Sequence, residues 1–240
     1  MRGRRAEITP TEPALVRTSE GIVITVLHAR DILRGESPLV QCLTNTVAAA
    51  LSANVLLAAG ATPEEAGDFA RRAAGVLVNM GTPTAARYDA MRAAVRGATD
   101  TNTPWVLDPV GAGVLGHRTR FLRSLLADAT LAAPTAIRGN TAEIAALGGA
   151  RALVAVSGPV DLIVSPGRET RLTSGDPLLT RVSGTGCALG AVCAAHLGAA
   201  AQIAARSATG PGSFAAAWLD AVHHLTSAEI ADLVSWKDHS

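Results

Sequence analysis

The stretch "GVLVNMGTPTAARYDAMRAAVRGATDTNTPWVLDPVGAG" (Gly75–Gly113) decides the fold class. It opens with an apolar run, Gly75 to Gly81, of strand length and without alternation, as expected for a strand covered on both faces. Thr82 as cap and Pro83 at the first helical position then predict a helix rich in alanine and arginine. "TPWVLDPVGAG" is a second apolar strand that runs into a glycine-rich loop. Strand, helix and strand at this spacing form the crossover that joins parallel strands.

The same alternation extends both ways. Upstream, a helix ending near Gly35 precedes "SPLVQCLTN" (Ser37–Asn45), a short buried strand. Thr46 to Ala59 is alanine- and leucine-rich and predicts a helix stopped by Gly60. Another helix starts with Thr62 as cap, Pro63 at the first position, and Glu64 and Glu65 in the first turn. Downstream come a helix over 118–128, a strand in "TLAAPT" (Thr130–Thr135) and a short helix over 140–147. Three closely spaced strands follow, over 152–158, 160–165 and 169–174, with gaps short enough for antiparallel pairing. A helix then runs from near Gly184 to about Ala201. A last helix after Ser213 carries Trp218, Leu219, Val222, Leu225 and Ile230 on one stripe. The expected architecture is α/β, a three-layer α/β/α sandwich around a mostly parallel sheet. Residues 21–240 form one domain and residues 1–20 a disordered tail.

Composition narrows the function. At 240 residues and 48% hydrophobic the chain can bury a large core. A formal charge of +1 leaves no basic footprint for nucleic acid. No apolar run is long enough to predict a membrane span, and the basic start lacks the apolar stretch of a signal peptide. Three cysteines (Cys42, Cys187, Cys193) are too few for a disulfide framework and read as reduced, cytosolic thiols. The six histidines show no metal-ligand spacing.

In open parallel sheets, ligands bind beyond the carboxyl ends of the strands. The segments expected there are "CLTN" (Cys42–Asn45), "DPVGAG" (Asp108–Gly113), "RGNTAE" (Arg138–Glu143), "SGPVD" (Ser157–Asp161) and "GTGC" (Gly184–Cys187). "GTGC" at a helix start suits a phosphate, because consecutive N–H groups point outward there and glycine lets the anion approach. Cys187 in this turn reads either as a core residue or as a proton acceptor, a helix terminus being able to lower a thiol pKa. Asn140 and Glu143 have capping-box spacing, and Glu143 equally suits a hydrated Mg²⁺. Asp108 reads as a turn residue or a second carboxylate near the metal. Arg118 reads as a phosphate partner or a solvated helix residue.

Taken together and in order, "PLVQCLTNTVAAALSANVLLAAGATP", "GVLVNMGTP", "WVLDPVGAG", "IRGNTAEI", "VAVSGPVD", "DPLLTRVSGTGCALGAV" and "GSFAAAWLDAV" resemble the hydroxyethylthiazole kinase family of the ribokinase-like superfamily. The similarity covers about residues 30–234. It implies phosphorylation of 4-methyl-5-(2-hydroxyethyl)thiazole by ATP with Mg²⁺, in thiamin biosynthesis and salvage, by a cytoplasmic homotrimer with active sites at subunit interfaces. Gly184, Thr185, Gly186 and Cys187 would form the anion hole and catalytic turn, with Gly184 also touching the thiazole. Cys187 matches the position of a catalytic aspartate in related sugar kinases. Arg118, Ser157 and Asn140 would contact the nucleotide, Asn45 would line the thiazole pocket, and Glu143 and Asp108 would serve the metal. One departure stands out. After "GATP" the family carries a further stretch, including a methionine that lines the thiazole site, and here Glu64 and Glu65 follow at once. That stretch motivates two other readings: a kinase of another small alcohol or an ADP-dependent dehydratase repairing nicotinamide nucleotides, and a nucleotide-binding relative without catalysis.

Overall fold

The computed structural model of the protein describes residues 29, 31–49, 58–59, 63–148, 152–165, 168–173 and 181–207. Val40–Leu43 (β1), Ala58–Ala59 (β2), Gly75–Asn79 (β3), Trp105–Asp108 (β4), Ala136–Asn140 (β5), Leu153–Ser157 (β6), Asp161–Ser165 (β7) and Arg168–Leu172 (β8) form one sheet in the order β2-β1-β3-β4-β5-β6-β7-β8. The pairings from β2 through β6 are parallel. The last two, β6 with β7 and β7 with β8, are antiparallel, as the short gaps between them require. Helices cover 31–36 (α1), Pro63–Arg72 (α2), Ala85–Thr101 (α3), Gly116–Leu126 (α4), Thr141–Leu147 (α5) and Thr185–Ser207 (α6).

Strand period 2 sends alternate residues into two separate cores. Val76, Val78, Trp105, Leu107 and Ile137 pack with α2, α3 and α4 on one face. Val40, Cys42, Leu77, Val106 and Ala136 pack with α6 and the segment at Ala29 on the other. β1, β3 and β4 are buried along their whole length, which explains why they read as continuous apolar runs. The helices over β3 sit very close. A methyl group on Gly75 would lie 2.1 Å from the Ala194 carbonyl oxygen, and one on Gly97 would lie 2.3 Å from that of Gly67. Small residues at these crossings bring backbone against backbone.

Several local expectations are corrected. Ala58 and Ala59 were expected to end a helix, but they pair in parallel with Val40 and Gln41 of β1. Sheet pairing there overrides the helix propensity of alanine. The helix of the opening stretch starts two residues later than Thr82-Pro83 predicts. Thr84 is its cap, accepting from the Arg87 amide, while Thr82 adopts a left-handed φ of 48° in the preceding turn. "TLAAPT" is not a strand, since the ladder forms over the next residues, Ala136–Asn140. Pro134 has no N–H to give a central strand. α6 continues past Ala201 to Ser207. The terminal tail at 1–20 and the helix expected after Ser213 lie outside the described residues. Among the described residues no helix is long and apolar enough to cross a membrane.

The order β2-β1-β3 reverses direction between β1 and β3, and such a switch point opens a crevice beyond the strand ends. The loops after β1, β3 and β4 and the N-terminus of α6 all lead there.

Candidate active site

Four adjacent strands each place one polar residue at or near the carboxyl end on the side facing α6, and these side chains form a connected row. Asn79 closes β3 and donates through Nδ2 to Asp108 Oδ2 at 2.6 Å, opposite it in the β3–β4 register. Asp108 closes β4, and its Oδ2 lies 3.8 Å from Arg138 Nη1. Arg138, in β5, donates from Nε and Nη2 to Ser157 Oγ of β6, at 3.2 and 3.0 Å. Asn79 and Asp108 are essentially inaccessible, and the side chain of Arg138 is only 14% exposed. The Asp108 carboxyl and the Arg138 guanidinium are thus buried side by side, each with a hydrogen-bond partner.

The first turn of α6 lies across this row. Gly184 has φ 90°, a conformation that favours glycine, and its carbonyl accepts the first helical bond, from the Ala188 amide at 2.9 Å. The amides of Gly186 and Cys187 therefore precede the helical ladder, at the positive end of a 23-residue helix. A methyl group on Gly186 would fall 2.8 Å from Arg138 Nη1. Glycine there is what lets the guanidinium pack directly against the turn.

Cys187 is buried. Its Sγ accepts from Asn45 Nδ2 at 3.3 Å, while Asn45 Oδ1 accepts from the Ala48 amide at 2.8 Å. The expectation of a lowered thiol pKa is corrected. Burial first, and then the neighbouring Asp108 carboxylate, push the Cys187 thiol up, against opposition from Asn79, Arg138 and Asn45. The helix terminus does not outweigh desolvation at this depth. Burial also pushes the Asp108 carboxyl up to about 7; Arg138 and Asn79 act against the rise and Glu143 adds to it.

The Asn140–Glu143 pair makes the capping box in full. Glu143 N–H donates to Asn140 Oδ1 and Asn140 N–H donates to Glu143 Oε2, both at 2.9 Å. Glu143 Oε1 in addition accepts from the Gly111 amide at 2.9 Å, tying α5 to the "DPVGAG" loop. Both carboxylate oxygens of Glu143 are therefore engaged by backbone amides. The carboxyls of Asp108 and Glu143 lie within electrostatic range of each other, and Asp108 Oδ1 is buried with no hydrogen-bond partner among the described residues. Two coupled carboxylates with an unmatched acceptor oxygen fit a divalent cation, whose charge would relieve both.

Arg118 sits at the "DPVGAG" loop. Its Nη1 donates to the Val110 carbonyl at 3.1 Å, bracing the glycine loop, and the side chain lines a cavity of about 670 Å³ with Tyr88, Asp89 and His117. The arginine that reaches the turn is Arg138, and Ser157 is its hydrogen-bond partner. Arg138 was legible only as part of "RGNTAE", and Asn79 only as the polar residue closing an apolar strand. Arg87 was likewise missed: it donates through Nη2 to the carbonyl of Thr44 and so holds the loop that carries Asn45.

Comparison with known proteins bears on the family and the fold. The sequence profile of the Hydroxyethylthiazole kinase family matches residues 31–153 and 149–228. The two matched parts meet at the short connection between α5 and β6. A hydroxyethylthiazole kinase of Corynebacterium efficiens is 44% identical over 268 aligned residues, spanning 89% of this chain and 98% of that one. One from Cereibacter sphaeroides is 42% identical, spanning 82% and 92%. The 268 aligned positions exceed the 240 residues of this chain, so the Corynebacterium protein carries stretches with no counterpart here. Among solved structures, the hydroxyethylthiazole kinase protein of Pyrococcus horikoshii OT3 superposes with a TM-score of 0.65 at 30% identity, over 85% of this chain and 92% of that one. A ribokinase-like superfamily protein of Enterococcus faecalis superposes at 0.50 and 12% identity over 88% and 84%, a likeness of fold alone.

Proposed function

Because the chain belongs to the hydroxyethylthiazole kinase family, we propose that its site transfers the terminal phosphoryl group of ATP to the primary alcohol of 4-methyl-5-(2-hydroxyethyl)thiazole. The observation that carries this reading is the packing of Arg138 against Gly186, which sets a cation beside the outward amides of α6. Phosphoryl transfer needs positioning and charge stabilisation more than covalent chemistry. The Gly186 and Cys187 amides with Arg138 meet those needs as an anion hole, with Gly184 and Thr185 shaping the turn. Asn140 and Ser157, neighbours in the β5–β6 register, flank Arg138 on the nucleotide side. Asn45 lines the alcohol side, and Cys187 orients the hydroxyl, taking its proton only as the thiolate, which burial makes the minority form at neutral pH. Glu143 and Asp108 would hold a divalent cation, Mg²⁺ in this proposal, which when bound neutralises phosphate charge.

The active unit of this proposal is a homotrimer that completes each site with a second copy. Val47 and Val114, in loops at the strand ends, are 70% and 82% exposed, and Val182 and Leu189 flank the turn with half their surface open. An apolar rim of this kind suits burial between subunits. A count of three cysteines, too few for a disulfide framework, suits a reducing, cytoplasmic compartment.

The test is ADP release by the purified protein with ATP, Mg²⁺ and the thiazole alcohol. Clear preference for that alcohol over a panel of small primary alcohols is expected. Because the segment after Pro63 is short, a different alcohol winning the panel would move the substrate while leaving the phosphoryl-transfer site in place. ATP binding without turnover on any alcohol would overturn the kinase reading. Light scattering should give the mass of three 24.4-kDa chains.

A further inference from the structure

The polar row leaves one member without a part in the reaction as described. Asn79 is wholly buried at the end of β3, where an apolar side chain would satisfy packing alone. Its amide orientation is determined. Oδ1 accepts from the Gly81 N–H at 2.9 Å, so Nδ2 must face the other way, toward Asp108 Oδ2 at 2.6 Å. The flipped amide would set an oxygen against the carboxylate and leave the Gly81 N–H facing a donor. Asn79 also opposes the rise of the Cys187 thiol. The turn held by Oδ1 is itself a contact surface. A methyl group on Gly81 would lie 1.9 Å from Asn45 Cβ, so that turn is pressed against the residue whose Nδ2 reaches Cys187 Sγ.

We propose that Asn79 is a positioning residue for the phosphoryl acceptor side: it fixes the Asp108 carboxylate beneath α6 and, through the Gly81 turn, the Asn45 amide against Cys187. One side chain thus sets the mutual placement of groups from β1, β4 and α6, none of which is close to the others in sequence. Asn79 does not touch the phosphates and acts through Asp108, Asn45 and Cys187. It therefore governs turnover more than nucleotide binding. This inference rests on the kinase reading above.

The experiment compares Asn79→Ala, Asn79→Ser and Asn79→Asp with the unmodified enzyme, on whichever alcohol the unmodified enzyme turns over. Asn79→Asp keeps the shape and the acceptor for Gly81 but replaces the donor to Asp108 by a second carboxyl that must share a proton with it, so it remains informative if Asn79→Ala fails to fold. Small misplacements of reacting groups are costly, so kcat should fall roughly 10-fold or more in Asn79→Asp and Asn79→Ala, with KM for ATP within about three-fold. Asn79→Ser, which keeps a hydroxyl donor, should recover part of the loss seen in Asn79→Ala. Folded variants with kcat unchanged per active site would overturn the proposal, as would a loss fully accounted for by a smaller folded fraction. An unmodified enzyme that turns over no alcohol would instead defeat the kinase reading.

Discussion

Gly186→Ala isolates the contact between the helix turn and Arg138. The added methyl would sit 2.8 Å from Nη1, 3.2 Å from Nη2 and 3.4 Å from Cζ of Arg138. Nη1 must retreat by about 0.6 Å to reach an ordinary contact distance. The obstacle is the far end of a flexible side chain, so the fold can adjust by moving the guanidinium. Its bonds to Ser157 Oγ, at 3.0 and 3.2 Å, are already near the long end of the useful range. A shift of that size strains or breaks them and moves the positive charge off the anion hole. Removing one well-aimed donor from such a hole typically costs ~10²–10³ in turnover. Partial displacement should cost about 10- to 100-fold in kcat/KM for ATP, or roughly 1.4–2.8 kcal/mol of transition-state stabilisation. Stability should hardly change, since alanine is a better helix former than glycine by up to ~1 kcal/mol. Gly186 also has no left-handed φ to defend. The assay is initial-rate ADP release against ATP concentration, with a thermal melt of the same preparation. Wild-type kcat/KM with alanine in place would refute a role for the Arg138–Gly186 contact in phosphoryl transfer. A matching collapse of Tm would show that the glycine serves folding instead.

Cys187→Ala should lower kcat by ~10²–10⁴, the usual worth of general-base help, with little effect on folding. Cys187→Asp should retain activity if the group at this position takes the hydroxyl proton, because a carboxylate can take the same proton; kcat equal to the unmodified enzyme in Cys187→Ala would reduce the thiol to packing. Arg138→Ala should raise KM for ATP or lower kcat by at least ~10-fold, whereas Arg118→Ala should leave ATP kinetics within about three-fold; the reverse pattern would return the nucleotide to Arg118. Asp108 gives a stability signature in metal-free buffer. Its folded pKa is raised to about 7 from an ordinary value of 3.8, so between these pH values the native state keeps a proton that the unfolded chain has lost. Stability from this group is full at acid pH and declines as pH rises through that window, by on the order of a few kcal/mol. Asp108→Asn should flatten the decline in denaturant melts between pH 4.5 and 8, and identical slopes for the two proteins would count against the buried carboxyl.

The parts of the fold written in local chemistry could be read in advance. β1, β3 and β4 are covered on both faces, so their sequences are apolar throughout and announce a parallel sheet. Asn140 and Glu143 declare a helix start through spacing alone. Ala58–Ala59 could not be read this way, because nothing in two alanines says strand until Val40 is beside them. Thr82-Pro83 carries a good helix start that the chain passes over, since the turn after β3 is held by Asn79 and pressed on Asn45. In the site, "GTGC" was legible because glycine and a helix start are local features. Arg138 was not, since its importance depends on where β5 lies under α6.

By itself, then, the sequence determined the alternating α/β architecture, the glycine turn and helix start at Gly184–Cys187 and the capping pair Asn140–Glu143. All three rest on interactions between residues near each other along the chain. The tertiary structure alone decided which arginine meets the turn, that Cys187 lies deep enough for its thiol to be raised, and that Asn79, Asp108, Arg138 and Ser157 join into one row. Those outcomes depend on strand register and on the depth of α6 over the sheet, and neither is encoded at any single position.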